Sequence, residues 1–232
     1  MAKYKQIAEV LKQQIIAGSY PDMKLPIEDA LMNEFEVSRN TIRKAIDLLA
    51  ELGILYRIQG SGVYIREMEH DNTINASKIR GISAEFADHK IKTKVISLDL
   101  IEATTEIAAA LKIDVGSLVY DIKRIRYVDD QPYTIEYSYF NKEVIPYIGK
   151  EIAESSIYNY IEDDLKLKIG FADKYVSATK LTSSEALIFQ QAVGDPSLMI
   201  REKVYLSNGE LFNSSTVFHN YQLAELFTTA TK

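Results

Sequence analysis

Apolar residues recur at helical spacing three times in the opening third of the chain. Tyr4, Ile7, Leu11 and Ile15 fall on one face of a helix that Gly18 should end. After the loop "SYPDMKLP", Ala30, Leu31 and Phe35 form the expected buried side of a second helix, with Pro26 in its first turn. "EVS" reads as a tight turn, and Ser38 is placed to cap a third helix. In that helix Ile42, Ala45, Ile46, Leu49 and Leu52 make an inward stripe that stops at Gly53. The period then turns from helical to alternating: "ILYRIQ" and "VYIR" are β-rich runs around a glycine turn, a hairpin. Helix, helix, turn, helix, hairpin within residues 1–66 is the plan of a winged helix-turn-helix.

Residues 67–77, "EMEHDNTINAS", are polar and aperiodic and are expected to be a linker. Residues 78–232 mix the two periods, which makes the whole chain α+β with a central antiparallel sheet in its second domain. "TKVISLDLIEA" and "FADKYVSATKL" read as strands, and "TTEIAAALKI", "SIYNYIEDDL" and "SSEALIFQQA" as helices. "LVYDIKRIRYV-DDQP-YTIEYSYF" is a hairpin, and a second turns at Asn208-Gly209. Val115-Gly116 and Val193-Gly194 lie 78 residues apart, and at that offset Ile122 matches Ile200, Lys123 matches Arg201 and Tyr127 matches Tyr205. The match predicts two related halves in one sheet, with a cleft at their junction.

Composition narrows the class. The chain has 232 residues, 47% hydrophobic and 26% charged, enough for a sizeable core and for one large domain or two ordinary ones. The start "MAKYKQIAEV" is amphipathic, so no secretory signal is expected, and no apolar stretch approaches a membrane span. The absence of cysteine excludes disulfides and thiolate chemistry and fits a reducing cytoplasm. The three histidines are far apart in sequence, and neither a metal site nor a cofactor is expected. Net charge is −6, but residues 1–66 carry nine Lys/Arg against eight Asp/Glu, so the acidic excess lies beyond them. One basic face suffices for DNA, because phosphate attraction decays over roughly 8–10 Å.

The third predicted helix begins with its most donor-rich residues. Arg39 and Arg43 share a face that could span base edges and backbone. An arginine fork suits guanine, Asn40 could pair with adenine, and Thr41 suits a phosphate or a thymine methyl. The wing Gly60-Ser61-Gly62 offers backbone donors without bulk. The bland alternative is a solvated helix start; three correctly spaced helices and a glycine wing make it the lesser one.

On the strand "YDIKRIRYV", Arg124 and Arg126 are two apart and project from one face. With Asp130-Gln131-Pro132 as the loop, Arg126 should stand opposite Glu136. Two readings remain open: a surface cross-strand pair worth well under ~1 kcal/mol, or an anion clamp with a carboxylate for sugar hydroxyls.

"LPIEDALMNEFEVSRNTIRKAIDLLAELGILYRIQGSGVYI" resembles the DNA-binding domain of the GntR family of bacterial transcription regulators. The resemblance implies DNA contacts at Ser38, Arg39, Asn40, Thr41, Arg43, Gly60, Ser61 and Gly62, and places Glu28 at the family's helix-two glutamate. Ile27 stands where a capping serine is usual, and Asp29 where an arginine that touches DNA is often found. Residues from about 78 to 229 resemble the UTRA effector domain of the HutC subfamily, through "GIS", "KRIRYVDDQPYTIEYSYF" and "SSIYNYI". That resemblance implies a chorismate-lyase-like fold, with effector positions at Ser83, Arg124, Arg126, Glu136, Ser156 and His219, the last replacing a tyrosine. In phosphosugar-binding relatives the serine and arginine positions hold the phosphate. "FHNYQLAELF" departs from the family's ending, which leaves the sugar end of the pocket unassigned.

The reading is a cytoplasmic homodimeric repressor of double-stranded operator DNA, with no membrane partner, answering to a small, anionic, sugar-phosphate-like metabolite. Two alternatives stand beside it: a second domain that only dimerises, and a lyase-like enzyme. Fold alone does not carry that activity, and the sequence offers no zinc-ligand spacing, P-loop, nucleophile elbow or standout acid/base pair, so no catalytic residue is assigned.

Overall fold

Leu11, Leu31, Ile42, Ala45, Ile46 and Leu49 meet in one dry core, each at most 1% exposed, and three helices are organised around it. The computed structural model describes residues 2–66, 73–75, 79, 81–86 and 89–228. They fall into two compact units, one of the residues up to 66 together with Thr228 and one of the residues from 73 to 227.

The first unit contains α1 (Lys3–Ile16), α2 (Glu28–Phe35) and α3 (Arg39–Glu51), then β1 (Leu55–Ile58) paired antiparallel with β2 (Gly62–Ile65). Burying each Leu or Ile of this core contributes roughly 1.5–3 kcal/mol, which outweighs the weak propensity of the eight-residue α2. Four expectations need correction. Pro26 lies outside α2, whose N-cap is Ile27 and first residue Glu28. Ala30 and Leu52 are exposed; Met32 takes the place on the core that Ala30 was expected to fill. Ser38 does hold the N-cap position of α3, but its hydroxyl meets Thr41 Oγ1 (3.0 Å) instead of a backbone N–H.

The second unit opens with β3 (Thr73–Asn75) and α4 (Ile82–Glu85). β3 falls inside the stretch expected to be a linker; residues 67–72 and 76–77 of that stretch lie outside the described residues. Next come β4 (Ile91–Glu102), α5 (Thr105–Leu111), β5 (Leu118–Val128), β6 (Gln131–Asn141), α6 (Lys150–Glu154) and α7 (Ile157–Asn159), which a π-helical turn continues over Tyr160–Asp164. β7 (Ile169–Lys180), α8 (Ser183–Phe189), β8 (Pro196–Leu206), β9 (Leu211–Asn220) and β10 (Glu225–Phe227) complete it. One antiparallel sheet runs β4-β5-β6-β9-β8-β7, and β10 pairs in parallel with β3.

The 78-residue offset is visible in three dimensions. β4, α5 and β5 recur as β7, α8 and β8 at that spacing. Thr104 and Thr182 stand at the two N-caps, Lys112 and Gln190 end the helices in the left-handed region, and Gly116 and Gly194 follow at φ 88° and 90°. The repeats meet at β6 and β9 in the middle of the sheet. Both repeat helices cover one face, α5 on Val119 and α8 on Ile135. α6, α7 and the π-helical turn pack on the other, against Ile122, Phe140 and Val204.

The β5–β6 turn differs from expectation. It is the two residues Asp129-Asp130, both at positive φ (49° and 65°), the backbone of a primed hairpin turn that Asp tolerates. A register shift beside Arg126 then sets Arg124 opposite Glu136 and Arg126 opposite Thr134. Contacts distant in sequence hold the turn: the Lys90 N–H donates to Asp129 Oδ1 (3.0 Å), His89 Nδ1 lies 2.6 Å from Asp129 Oδ2, and Lys90 and Lys92 both reach Asp130.

Candidate nucleic-acid interface and effector cavity

At the start of α3, Arg39, Asn40 and Arg43 are exposed and Thr41 half-buried, while Ile42, Ala45 and Ile46 anchor the opposite side in the core. The helix thus presents donors on a rigid support. Neither arginine is bare. Arg43 Nε donates to both oxygens of Glu28 (2.9 and 3.0 Å), and Arg39 Nη2 donates to Asp29 Oδ1 (2.5 Å) while its Nε lies 3.7 Å from Glu28 Oε2. Glu28 therefore meets α3 through its arginines, and its bond raises the Arg43 guanidinium further above its ordinary range. The wing glycines are exposed at φ 76° (Gly60) and 134° (Gly62), and the Ser61 hydroxyl meets that of Tyr64, whose ring stacks on Tyr56 at 5.7 Å.

In the second unit, the α6–α7 face of the sheet encloses a cavity of about 780 Å³, counted out to its open mouth. Arg124, Arg126, Glu136, Ser156 and His219 line it, and Ser83 on α4 accepts a hydrogen bond from Arg126 Nη2 (2.6 Å). All six positions expected for an effector thus come together. The arginines are not a surface pair: Arg124 is 7% exposed and Arg126 3%.

Each polar group has a definable state. Arg124 donates from Nε and Nη2 to Glu136 Oε2 (3.1 and 2.5 Å) and from Nη1 to the Ala153 carbonyl (3.0 Å), so each of its three nitrogens is engaged. Burial alone would push the Glu136 carboxyl up, but Arg124 and Arg126 hold it below its ordinary value, and it is ionised. Arg126 Nε finds no hydrogen-bond partner among the described residues. Burial pulls its guanidinium down from the usual range, yet far too little is available to neutralise an arginine. His219 is pulled down to about 4 by burial and is neutral near pH 7. Its Nδ1, 3.1 Å from the Leu198 carbonyl, carries the proton, leaving Nε2 as an acceptor. Ser156 Oγ caps α7 by accepting from the Asn159 N–H (3.2 Å).

The second repeat adds what the sequence did not suggest. Lys174 on β7 and Glu202 on β8 pair at 3.1 Å and line the same cavity, with Asn213 and Ser215 from β9. The repeat offset was the available signal, since it maps Arg124 onto Glu202. Among the described residues, no group of three acidic, histidine or cysteine side chains could hold a metal ion, and no helix is long and apolar enough to cross a membrane.

Two family models match: that of bacterial regulatory proteins, gntR family, over residues 3–65, and that of the UTRA domain over 87–223. An uncharacterised HTH-type transcriptional regulator of Bacillus subtilis (strain 168), YydK, is 34% identical over 99% of this chain and 98% of its own. Its crystal structure superposes with a TM-score of 0.85, at 33% identity, over the whole of both chains. The HTH-type transcriptional repressor NagR of the same organism is 33% identical over 90% of this chain and 86% of its own. MngR of Escherichia coli (strain K12), the mannosyl-D-glycerate transport/metabolism system repressor, is 29% identical over 91% and 89%.

Proposed function

The chain belongs to the gntR family of bacterial regulatory proteins, with a UTRA domain as its C-terminal unit, and on that premise we propose that an anionic, sugar-phosphate-like metabolite fills the cavity and releases operator DNA. The protein is a transcription regulator and not an enzyme: the first unit binds operator DNA and the UTRA domain a small effector.

One observation carries the ligand class, the buried Arg126 guanidinium with its unpartnered Nε. A buried donor left unmade costs about 1–3 kcal/mol, more when charged, and a phosphate or carboxylate oxygen would satisfy it in bidentate geometry. Each nitrogen of Arg124 is engaged by Glu136 or Ala153, whereas Arg126 keeps a nitrogen without a partner among the described residues. Ser156 and the neutral His219 line the same cavity, and Ser215, Asn213 and the Lys174–Glu202 pair there offer both donors and acceptors to hydroxyls. MngR is named for a mannosyl-D-glycerate system, and the glycerate of that glycoside carries a carboxylate, which fits the same class.

The regulator acts as a homodimer, because one recognition helix covers too few base pairs and a twofold pair reads a palindrome. It works in the cytoplasm, on the chromosome. Ile74 of β3 lines the cavity and belongs to the stretch that leads from the DNA-binding unit, so an occupant touches that stretch directly. The shift in operator affinity then equals the ligand's differential affinity for the two states.

A thermal-shift screen of the full chain against phosphorylated and free sugars tests the reading. A phosphosugar at a hundredfold excess over its dissociation constant should add roughly 2.7 kcal/mol, should lower operator affinity, and should do neither in Arg126→Ala. Stabilisation by free sugars alone, or an undiminished response in that variant, would sink it.

A further inference from the structure

We infer that Asp29 is a positioning residue for Arg39, one that withholds this arginine from the phosphate backbone and commits it to reading a base. The inference rests on α3 being the recognition helix.

The geometry is one-sided. Arg39 Nη2 is tied to Asp29 Oδ1 at 2.5 Å and Nε lies 3.7 Å from Glu28 Oε2, so carboxylates hold one edge of the guanidinium. Nη1 is unengaged among the described residues. Arg43 is held differently, by Nε alone, with both terminal nitrogens left over. A guanidinium has five N–H donors, so carboxylates along the Nε–Nη2 edge of Arg39 fix its direction and leave Nη1, with the second N–H of Nη2, to meet a guanine edge.

The tie contributes little to holding the fold. The side chains of Asp29 and Arg39 are 63% and 53% exposed, and exposed pairs contribute little to stability. Its consequence is electrostatic and local. Phosphates are attracted by any unpaired cation, regardless of sequence, and Asp29 cancels the charge of Arg39 where the backbone would approach. It also restricts the side chain before binding, which lowers the ordering cost of a directed contact. A base edge, which is not an anion, loses less from the neighbouring carboxylate than a phosphate does. Asp29 therefore lowers affinity for arbitrary DNA more than for the operator.

The test uses the full chain and two duplexes, one enriched by the wild-type protein from a random-sequence pool and one with the same bases scrambled. Binding is followed by fluorescence anisotropy over a range of KCl. In Asp29→Asn, affinity for the scrambled duplex should rise, and log K against log salt should steepen by about 0.9 for each recognition helix that gains a phosphate contact. The enriched-to-scrambled ratio should fall by about fivefold or more, the discrimination of at least one base contact. Asp29→Glu, which keeps the carboxylate, should restore much of the ratio, and neither variant should change the melting temperature. An unchanged slope and ratio in Asp29→Asn overturns the inference. Arg39→Ala separates the two failures: if it binds the enriched duplex as wild type does, the recognition-helix reading is itself wrong.

Discussion

Arg124 and Glu202 occupy equivalent positions in the two repeats, 78 residues apart, and both face the same cavity. Each has a partner from the neighbouring strand, Glu136 on β6 and Lys174 on β7, so the repeats supply two ion pairs of opposite polarity. A duplicated scaffold has been specialised by charge. Under the proposed reading the first half, where Arg126 keeps an unpartnered Nε, takes the anion, and the second, self-neutralised, takes hydroxyls.

The double variant Lys174→Met/Glu202→Leu, which leaves no unpaired charge, should therefore divide a phosphosugar into its parts. It removes a charged donor and a charged acceptor, each worth about 1.5–3 kcal/mol, from the residues offered to hydroxyls. Phosphosugar affinity, measured by calorimetry, should fall about tenfold or more, while inorganic phosphate binding stays within about twofold of wild type. Equal losses for both would show that the cavity has no such division.

The Arg124–Glu136 pair is buried at 9% and 11% side-chain exposure. Breaking such a pair leaves a charge without a partner, at a cost of about 3–5 kcal/mol, whereas replacing both groups with apolar ones of like volume can be neutral. Urea denaturation should show Glu136→Leu strongly destabilised and the double variant Arg124→Met/Glu136→Leu recovering most of the loss. A double variant no better than the single one would mean that the pair is not coupled.

The wing glycines are not interchangeable. Gly62 lies at φ 134°, which side-chain-bearing residues rarely adopt, and a Cβ there would come 2.9 Å from Lys24 Cε. Gly60 lies at φ 76° with nothing within 4 Å. Gly62→Ala should strain the hairpin by about 1–3 kcal/mol and weaken DNA binding as the wing shifts. Gly60→Asn, whose side chain tolerates the left-handed region, should leave binding within about threefold of wild type. Gel-shift titrations on one enriched duplex compare the two.

What could be read in advance followed from periodicity long enough to be unambiguous. Helices α1 and α3 and the long strands repeat their pattern over ten residues or more. Ala30 was misplaced because a small residue near the edge of an apolar stripe carries little signal. β3, α4, α6 and β10, at three to five residues each, are too short to show a period, whereas α7 is legible because the π-helical turn extends its pattern to Asp164. The Asp129-Asp130 turn depends on partners at His89, Lys90 and Lys92, and the tie between Asp29 and Arg39 on two helices meeting. Lys174 and Glu202 are hidden for another reason: adjacent charges such as Asp173-Lys174 and Arg201-Glu202-Lys203 normally mark a solvated strand, and here one charge of each run faces a cavity.

His219 makes a prediction about pH whose sign can be worked through. Burial pulls its pKa down to about 4, from 6.5; the Leu198 and Val217 backbone groups and Glu136 oppose this, and Lys174 adds to it. The folded protein thus refuses a proton that the unfolded chain accepts between pH 6.5 and 4. Stability supplied by the neutral ring is present above 6.5 and drains away as pH falls toward 4, by about 3 kcal/mol in all. Glu136, held below its ordinary value, acts in the same direction but only below about 4.5, so the two windows separate. Between pH 7 and 5.5 the wild-type protein without ligand should lose about 1 kcal/mol through this group, read by urea denaturation at each pH. His219→Gln keeps a polar side chain of similar size without the titration, and its loss over that interval should be smaller by the same amount. Equal slopes for the two proteins would mean that the ring is already protonated, or not buried, in the folded state.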